Sequence, residues 1–178
     1  MAYTTPDTAV TGVVAPASMW NSGVRDNMLA MMHPINRKTS DQSVTSSTVL
    51  VDCTTMTLPL LANEVWQFEF NVVYAAVAAA DIKLGFTFPA AGRIDAGAFW
   101  LGGDSVARLN YFTGTTTPTS AWSFVGDGTT ERHFLPIKGI FTNSTNAGNL
   151  QLQFAQDISN ATASTVFTNS TVWGARLA

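Results

Sequence analysis

Cysteine and charge are both scarce in this sequence. Cys53 is the single cysteine, so no disulfide can form within the chain and a disulfide-stapled scaffold is excluded. Charged residues make up only 12% of the chain, about half of the fraction typical of soluble domains, and the net charge is -3. The sequence contains no basic stripe or tail, and we therefore expect no nucleic-acid partner.

Long apolar runs are absent as well. The most apolar run, VVYAAVAAA at residues 72–80, is much shorter than the roughly 20 residues of a membrane span, and we expect no membrane partner. The first residues lack both a basic start and a continuous apolar stretch, so we expect no signal peptide. With 178 residues, of which 46% are hydrophobic, the chain is long enough for one core, and we expect one domain with an N-terminal extension.

Residues that could carry chemistry are few and dispersed. His33 and His133 are far apart and have no second ligand nearby, so we expect no metal site. Cys53 lies in the strand-like VLVDCTTM, which predicts a buried, unreactive thiol. No cofactor motif is present, and the sequence predicts a protein that is not an enzyme and needs no cofactor. The carboxylates that a glycosidase could use lie in turns or on predicted outer faces and suggest no catalytic pair: Glu64, Glu69, Asp81, Asp95, Asp104 and Asp127.

A helical period occurs only near the N-terminus, in VVAPASMWNSGVRDNMLAMMHPIN at residues 13–36. The helix should end at His33, because the residue before Pro34 avoids the helical conformation. Residues 35–48 are polar and without period, which predicts a linker or an extended arm. The apolar positions of the helix recur at helical spacing and form one face: Trp20, Val24, Met28 and Met31.

From Val49 onward the apolar period changes to two, which is typical of strands. Eight to ten short segments of this kind alternate with turn-forming residues, and no helix lies between them. This pattern predicts an all-β fold over residues 49–178, an antiparallel β-sandwich and most simply a jelly roll, preceded by the helix and arm of residues 1–48. The clearest strands should turn these residues toward the core: Trp66, Phe68, Phe70, Val72 and Tyr74, then Ile82, Leu84, Phe86 and Phe88.

Two interpretations of the helix face are open. Its Met and Trp side chains could fill an adaptable groove on a partner. Alternatively, the helix could fold back and cap one end of its own sandwich. The polar stretch that follows it favours docking, because such a stretch leaves the helix free to move away.

The two ends of the chain resemble a group of small tailed-phage virion proteins of the head-decoration, head-fibre or minor tail type. In these proteins a W-N-x-x-V-R-D-N helix precedes a Thr-rich β domain, and the chain ends in a strand with an aliphatic residue and an arginine near the last positions. Residues 49–140 match this group only in their general pattern and carry none of its motifs. The matching positions are Trp20, Asn21, Val24, Arg25, Asp26 and Asn27 at the front, and Gln156, Ser170, Arg176 and Leu177 at the end.

The resemblance implies a non-enzymatic building block of the virion, made in the host cytoplasm and located on the capsid surface or the tail. Its expected partners are itself, as a homotrimer of jelly rolls, and the major capsid protein or a tail protein of the same virion. The N-terminal segment would be the attachment device; whether Arg25 and Asp26 pair with a neighbour or within the helix surface is open. The expected docking residues are Trp20, Val24, Arg25, Asp26, Met28 and Met31.

An alternative is a minor tail or tail-fibre tip protein that binds a host surface saccharide through exposed loops. Tyr111 or Trp122 could then serve as a stacking platform, although a core position is the favoured interpretation of Trp122. A depolymerising enzyme ranks last, because the sequence offers no convincing acid and base pair.

Overall fold

The computed structural model describes residues 17–26, 35–101, 107–115 and 121–177. The chain divides into two units, residues 1–34 and residues 35–178. In the first unit, helix α1 (Ala17–Trp20) continues into a π-helical turn, Asn21–Asp26. These residues confirm a helix at the predicted place. The rest of the predicted helix, up to His33, lies outside the described residues.

The described part of the second unit contains twelve strands and belongs to the all-β class. They are β1 (Ile35–Arg37), β2 (Gln42–Val44), β3 (Val51–Leu60), β4 (Val65–Ala76), β5 (Ile82–Thr87), β6 (Arg93–Leu101), β7 (Ala107–Gly114), β8 (Trp122–Phe124), β9 (Gly128–Thr142), β10 (Gly148–Ala155), β11 (Ser164–Val166) and β12 (Thr171–Arg176).

The eight strands β3 to β10 pair as the two arms of one long folded hairpin would. β3 pairs with β10, β4 with β9, β5 with β8 and β6 with β7, all antiparallel. Successive pairs lie in opposite sheets, so these eight strands follow the orders β3-β10-β5-β8 in one sheet and β4-β9-β6-β7 in the other, where β12 and β11 also pair with β4. This is the winding of a double-sheet jelly roll, and the predicted fold class is confirmed.

The core lies between the two sheets and follows the predicted alternation. All nine residues predicted to face inward on β4, on β5 and just after β5 are buried. Aromatic rings meet edge to face at its centre, where Phe86 lies 5.2 Å from Phe70 and 5.1 Å from Phe112 between ring centroids. Burial of each such ring contributes about 2 kcal/mol, so this cluster adds substantially to the stability of the sandwich.

Residues 35–48 are predicted to be a linker or an extended arm, and of these alternatives the linker is wrong, because the segment contains two strands. β1 pairs with β12 and β2 pairs with β11, so both strands extend the sheet that contains β4. The boundary between the units accordingly falls after residue 34 rather than after residue 48. Strands of three residues are too short to carry a recognisable period of two, and this hid them in the sequence.

The polar side chains of this segment have a structural role at the edge of the other sheet. β3 is an edge strand, and edge strands present unpaired main-chain groups. The segment covers part of that edge, and Lys38 is buried in doing so. Three side chains donate hydrogen bonds to β3 carbonyls: Asn36 to Thr57 (2.7 Å), Lys38 to Thr54 (3.4 Å) and Gln42 to Asp52 (2.8 Å).

Candidate interaction surface

The outer face of the β4-β9-β6-β7 sheet carries large apolar side chains. Residues directly opposite each other on antiparallel strands point to the same side of a sheet. Phe99 of β6 lies opposite Leu109 of β7, and Gly97 lies opposite Tyr111. Since alternate residues of one strand share a side, these four residues lie on one face.

The same face continues onto β9. Ile140 lies opposite Asp95 of β6, and Asp95 shares its side with Phe99 by the period of two. Phe134 precedes Ile140 by an even number of residues in the same strand and therefore also lies on this side. We call this surface the β6–β7–β9 face. It is defined by Phe99, Leu109, Tyr111, Phe134 and Ile140, which are 60%, 50%, 58%, 63% and 38% exposed.

Two pairs of oppositely charged side chains near this face bond each other within the chain. The Arg93 guanidinium donates two hydrogen bonds to the Asp95 carboxylate, both at 2.7 Å, and these bonds raise the pKa of Arg93. Lys138 Nζ lies 3.2 Å from Glu69 Oε2. By register, all four side chains lie on the same side of the sheet as the apolar residues. The face therefore combines large apolar side chains with two charge pairs that lie among them and are each balanced within the chain.

A cleft lies where β6 and β9 separate. Their pairing ends at Ala98 and Ile137, and beyond this point the strands diverge. The opening has a volume of about 240 Å³, and its walls include Phe99 and Phe134. The buried Trp100 Nε1 at this cleft has no hydrogen-bond partner among the described residues. The lining residues are Tyr74, Phe99, Trp100, His133, Phe134 and Leu135.

The floor of the cleft is held by a polar and aromatic network. The His133 ring stacks on Tyr74 at 5.0 Å, and His133 Nε2 lies 2.8 Å from Asp127 Oδ1. The Tyr74 hydroxyl donates a hydrogen bond of 2.9 Å to the Val125 carbonyl. Burial raises the pKa of Tyr74, and the charges of Asp81 and Asp127 raise it further, so this phenol stays protonated and donates.

In the N-terminal unit, Trp20 and Val24 are 61% and 43% exposed. Arg25 Nη1 donates a hydrogen bond of 3.3 Å to Asn21 Oδ1, four residues earlier on the helix surface. The side chain of Asp26 lies outside the described residues, as do Met28 and Met31. Two apolar positions of the predicted docking face are thus exposed.

Tyr111 and Trp122 lie on strands rather than in loops, and on different sheets. Tyr111 belongs to the β6–β7–β9 face. The favoured core position of Trp122 is wrong, because this residue lies on the edge strand β8 and is 40% exposed. The structure therefore does not bring the two rings together as one platform.

Sequence reasoning missed four of the five residues of the β6–β7–β9 face. A signal was present, because Phe99 and Phe134 each precede another large apolar residue in GAFWLG and RHFLPIK. Successive apolar residues in a strand make both of its faces apolar. Only one of these faces can point into the sandwich.

The carboxylates that a glycosidase could use have structural partners wherever the structure describes them. Glu64 is buried, and its Oε2 accepts hydrogen bonds from the Leu61 N–H (2.8 Å) and from Trp66 Nε1 (2.9 Å). Arg176 Nη1 donates to Glu64 Oε1 at 3.2 Å. Burial by itself would raise the pKa of Glu64, but these hydrogen bonds and the arginine charge outweigh it and lower the pKa. The Glu64 carboxylate is therefore ionised in the folded protein, and it stabilises the fold through these three hydrogen bonds.

The remaining described carboxylates also bond to groups of the fold. Asp81 Oδ1 accepts a hydrogen bond of 2.8 Å from the Gly126 N–H, and Asp127 holds His133. Asp104 lies outside the described residues. Within the described ranges, no group of three or more His, Cys, Asp or Glu side chains could hold a metal ion. No helix among these residues is long and apolar enough to cross a membrane.

The four C-terminal positions of the resemblance have structural roles here. Gln156 and Ser170 are fully buried. Gln156 bonds main-chain groups of Ser47, Asn160 and Thr162, and Ser170 bonds those of Val73 and Phe167, so both fix turns beside the last strands. Arg176 binds Glu64, and the Leu177 N–H donates to the Val65 carbonyl at 2.7 Å.

No protein-family model matches this chain, and no curated protein matches it. Among solved structures, the chain is similar to the N-terminal endo-1,4-β-D-xylanase 10B of Clostridium thermocellum, solved as its CBM22-1 and GH10 modules complexed with xylohexaose. The identity is 9%, the match covers 82% of this chain and 25% of that chain, and the TM-score is 0.33.

The chain is also similar to two structures from infectious bursal disease virus. For the VP2 subviral particle the identity is 9%, the match covers 82% of this chain and 42% of that chain, and the TM-score is 0.21. For the T13 viral particle the identity is 8%, the match covers 82% of this chain and 39% of that chain, and the TM-score is 0.22. The chain spans less than half the length of these solved chains. Likeness at this level carries no argument about function.

Proposed function

We propose that this chain is a non-enzymatic structural protein of a phage virion, a capsid decoration protein of the cement or head-fibre type. Its N-terminal unit attaches to the major capsid protein, and its β-sandwich is displayed as a homotrimer. The expected location is the surface of the virion. The resemblance of the two ends of the chain to tailed-phage virion proteins is the starting point of this proposal.

The observation that carries the proposal is the division of the chain. The chain divides into residues 1–34 and residues 35–178, and among the described residues of the second unit the core cluster runs from Val44 to Val172. The helical segment instead exposes Trp20 and Val24. Exposed Trp is enriched at protein interfaces, because its ring adds large contact area at low entropic cost.

Co-sedimentation with undecorated capsids of the phage that encodes the chain tests the attachment. We expect the full-length protein to sediment with capsids and a variant lacking residues 1–34 to fold but stay in the supernatant. Trp20→Ala should weaken binding at least tenfold. Ile158→Ala is the matched control, since Ile158 is equally exposed, at 61%, but lies on the sandwich. Equal binding of the full-length protein and the truncation would refute attachment through the N-terminal unit.

The cleft between β6 and β9 favours a second candidate function. It combines exposed rings of Phe99 and Phe134 with the polar side chain of His133 in its lining, as saccharide sites combine a stacking surface with a few polar groups. The chain would then be a minor tail or tail-fibre tip protein that binds a host surface saccharide. Binding of the full-length protein to host cells, lost in Phe134→Ala and absent with bare capsids, would favour this candidate.

A further inference from the structure

We propose that the β6–β7–β9 face is the surface through which copies of this chain meet in the homotrimer. This inference rests on the proposed function for the existence of the trimer, and it assigns the interface to particular residues. The occupant of the face is a second copy of the same chain.

The first argument is the apolar area. The five side chains of the face together leave roughly 500 Å² of apolar surface in water, taking about 150–250 Å² for a whole aromatic side chain. A patch of this size is at the upper end of what monomeric proteins expose. A standard interface buries roughly 800 Å² on each partner, with an apolar centre and a polar rim. The face supplies most of the apolar area that such an interface needs, and its two charge pairs supply polar groups beside that area.

The second argument is charge. Around a three-fold axis, neighbouring copies present different parts of the same face to each other, and like charges brought into contact there oppose association. On this face Arg93 pairs with Asp95 and Lys138 pairs with Glu69, so each copy brings these charges already neutralised by its own partner. The approach of a second copy therefore meets no net repulsion from these pairs.

The third argument separates a protein partner from a saccharide. A saccharide in the cleft would use Phe99 and Phe134, which line it. Leu109, Tyr111 and Ile140 are exposed on the same face but do not line the cleft. The apolar surface thus extends well beyond the cleft and includes aliphatic side chains, which pack against protein and offer a sugar ring no π-face.

The molar mass in solution tests the interface, measured by size-exclusion chromatography with light scattering. We expect the full-length protein to have three times the chain mass of 19.0 kDa. Phe99→Glu and Leu109→Glu should each reduce this mass to that of a single chain, because a buried unpaired carboxylate would be placed at the interface centre. Leu61→Glu is the matched control, because Leu61 is 62% exposed but lies outside the face, and it should remain trimeric.

Cysteine cross-linking provides a second measurement that does not depend on the charged variants folding. Burial raises the pKa of the native Cys53 to about 11, so its thiol is unreactive near pH 7 despite the opposing effect of Lys38. In Tyr111→Cys the new cysteine is therefore the reactive one. Copies in a cyclic trimer meet through different parts of the face, so a bifunctional maleimide, which spans more than a disulfide, is the suitable cross-linker. We expect it to give a covalent dimer with Tyr111→Cys and none with Leu61→Cys.

The outcomes separate this inference from the attachment proposal. Trp20→Ala should stay trimeric even where it no longer binds capsids. A monomeric full-length protein, or Glu variants that remain trimeric with no cross-link through residue 111, would overturn the assigned interface. A monomer whose binding to host glycans is lost in Phe99→Glu would overturn it in favour of the saccharide site.

Discussion

Glu64→Gln should destabilise the sandwich at neutral pH and lose most of this effect in acid. Glu64 joins the start of β4 to the end of β12, because its carboxylate accepts hydrogen bonds from the Leu61 N–H, from Trp66 Nε1 and from Arg176. All three partners are donors. A glutamine amide has one acceptor oxygen, and its NH₂ group must face at least one of these donors.

The magnitude follows from the hydrogen bonds. A hydrogen bond to a charged group contributes about 1.5–3 kcal/mol, against about 1 kcal/mol for a neutral one. The favourable amide orientation keeps the oxygen toward Leu61 and Trp66 and turns the NH₂ toward Arg176. The two retained bonds each weaken by roughly 0.5 kcal/mol, and the bond to Arg176, worth only about 1 kcal/mol because the arginine side chain is 41% exposed, is lost. We therefore expect a loss of about 2 kcal/mol in the free energy of unfolding at pH 7.

The pH dependence follows from the lowered pKa of Glu64 in the folded protein. A group whose pKa is lower when folded contributes stability that is fully present above its unfolded pKa, about 4.3 for glutamate. That contribution is lost as the pH falls through the folded pKa. Glutamine does not titrate, so the difference between wild type and Glu64→Gln should be constant from pH 6 to 8 and shrink below about pH 4.

Urea titrations at several pH values measure this difference. Glu131→Gln is the control, because Glu131 is an exposed residue of β9, and its effect should stay within about 0.5 kcal/mol at every pH. A Glu64→Gln effect that stays the same down to pH 3, or one below about 0.5 kcal/mol at pH 7, would refute the assigned role of the carboxylate.

Three further predictions concern the sandwich, and denaturant titration measures each. Trp66→Ala should cost about 3–5 kcal/mol because Trp66 is a buried core residue, and a loss below about 1 kcal/mol would reject that placement. Gly139→Ala should lower the free energy of unfolding by about 1–3 kcal/mol, because the new Cβ would lie 2.5 Å from the Asp95 carbonyl oxygen. Gly97→Ala is the control: its Cβ meets only ordinary contacts, so this substitution should be neutral or slightly stabilising. Thr55→Gly should stabilise by about 1 kcal/mol, because Thr55 has a φ of +66° that a β-branched residue tolerates poorly, and an unchanged midpoint would contradict stored strain there.

Much of the sandwich could be predicted from local pattern. The alternation in EVWQFEFNVVYAA indicated which side of β4 is buried, because the period of a strand and its burial are read from the same few residues. The fold class followed from the number of such segments and from the turns between them. These are properties that neighbouring residues determine.

Features that depend on distant partners could not be predicted in this way. β1 and β2 are polar and short, and they are strands because β12 and β11 lie beside them. Phe99 and Phe134 each lie beside a second large apolar residue, and the sequence does not indicate which residue of each pair is exposed. Which of two adjacent apolar residues points outward depends on the register with the neighbouring strand, which is set across the sheet rather than along the chain.

If the sandwich is tethered through its N-terminal unit, mechanical tension enters it at Ile35, the first residue of β1. The pairing of β1 with β12 covers only three residues, and such a short ladder would peel easily from the edge of one sheet. The hydrogen bonds from Asn36 to Thr57 and from Lys38 to Thr54 transmit part of this force to β3 in the second sheet. Both sheets would then resist detachment of a displayed domain, and the force needed to unravel it would exceed what β1 alone could withstand.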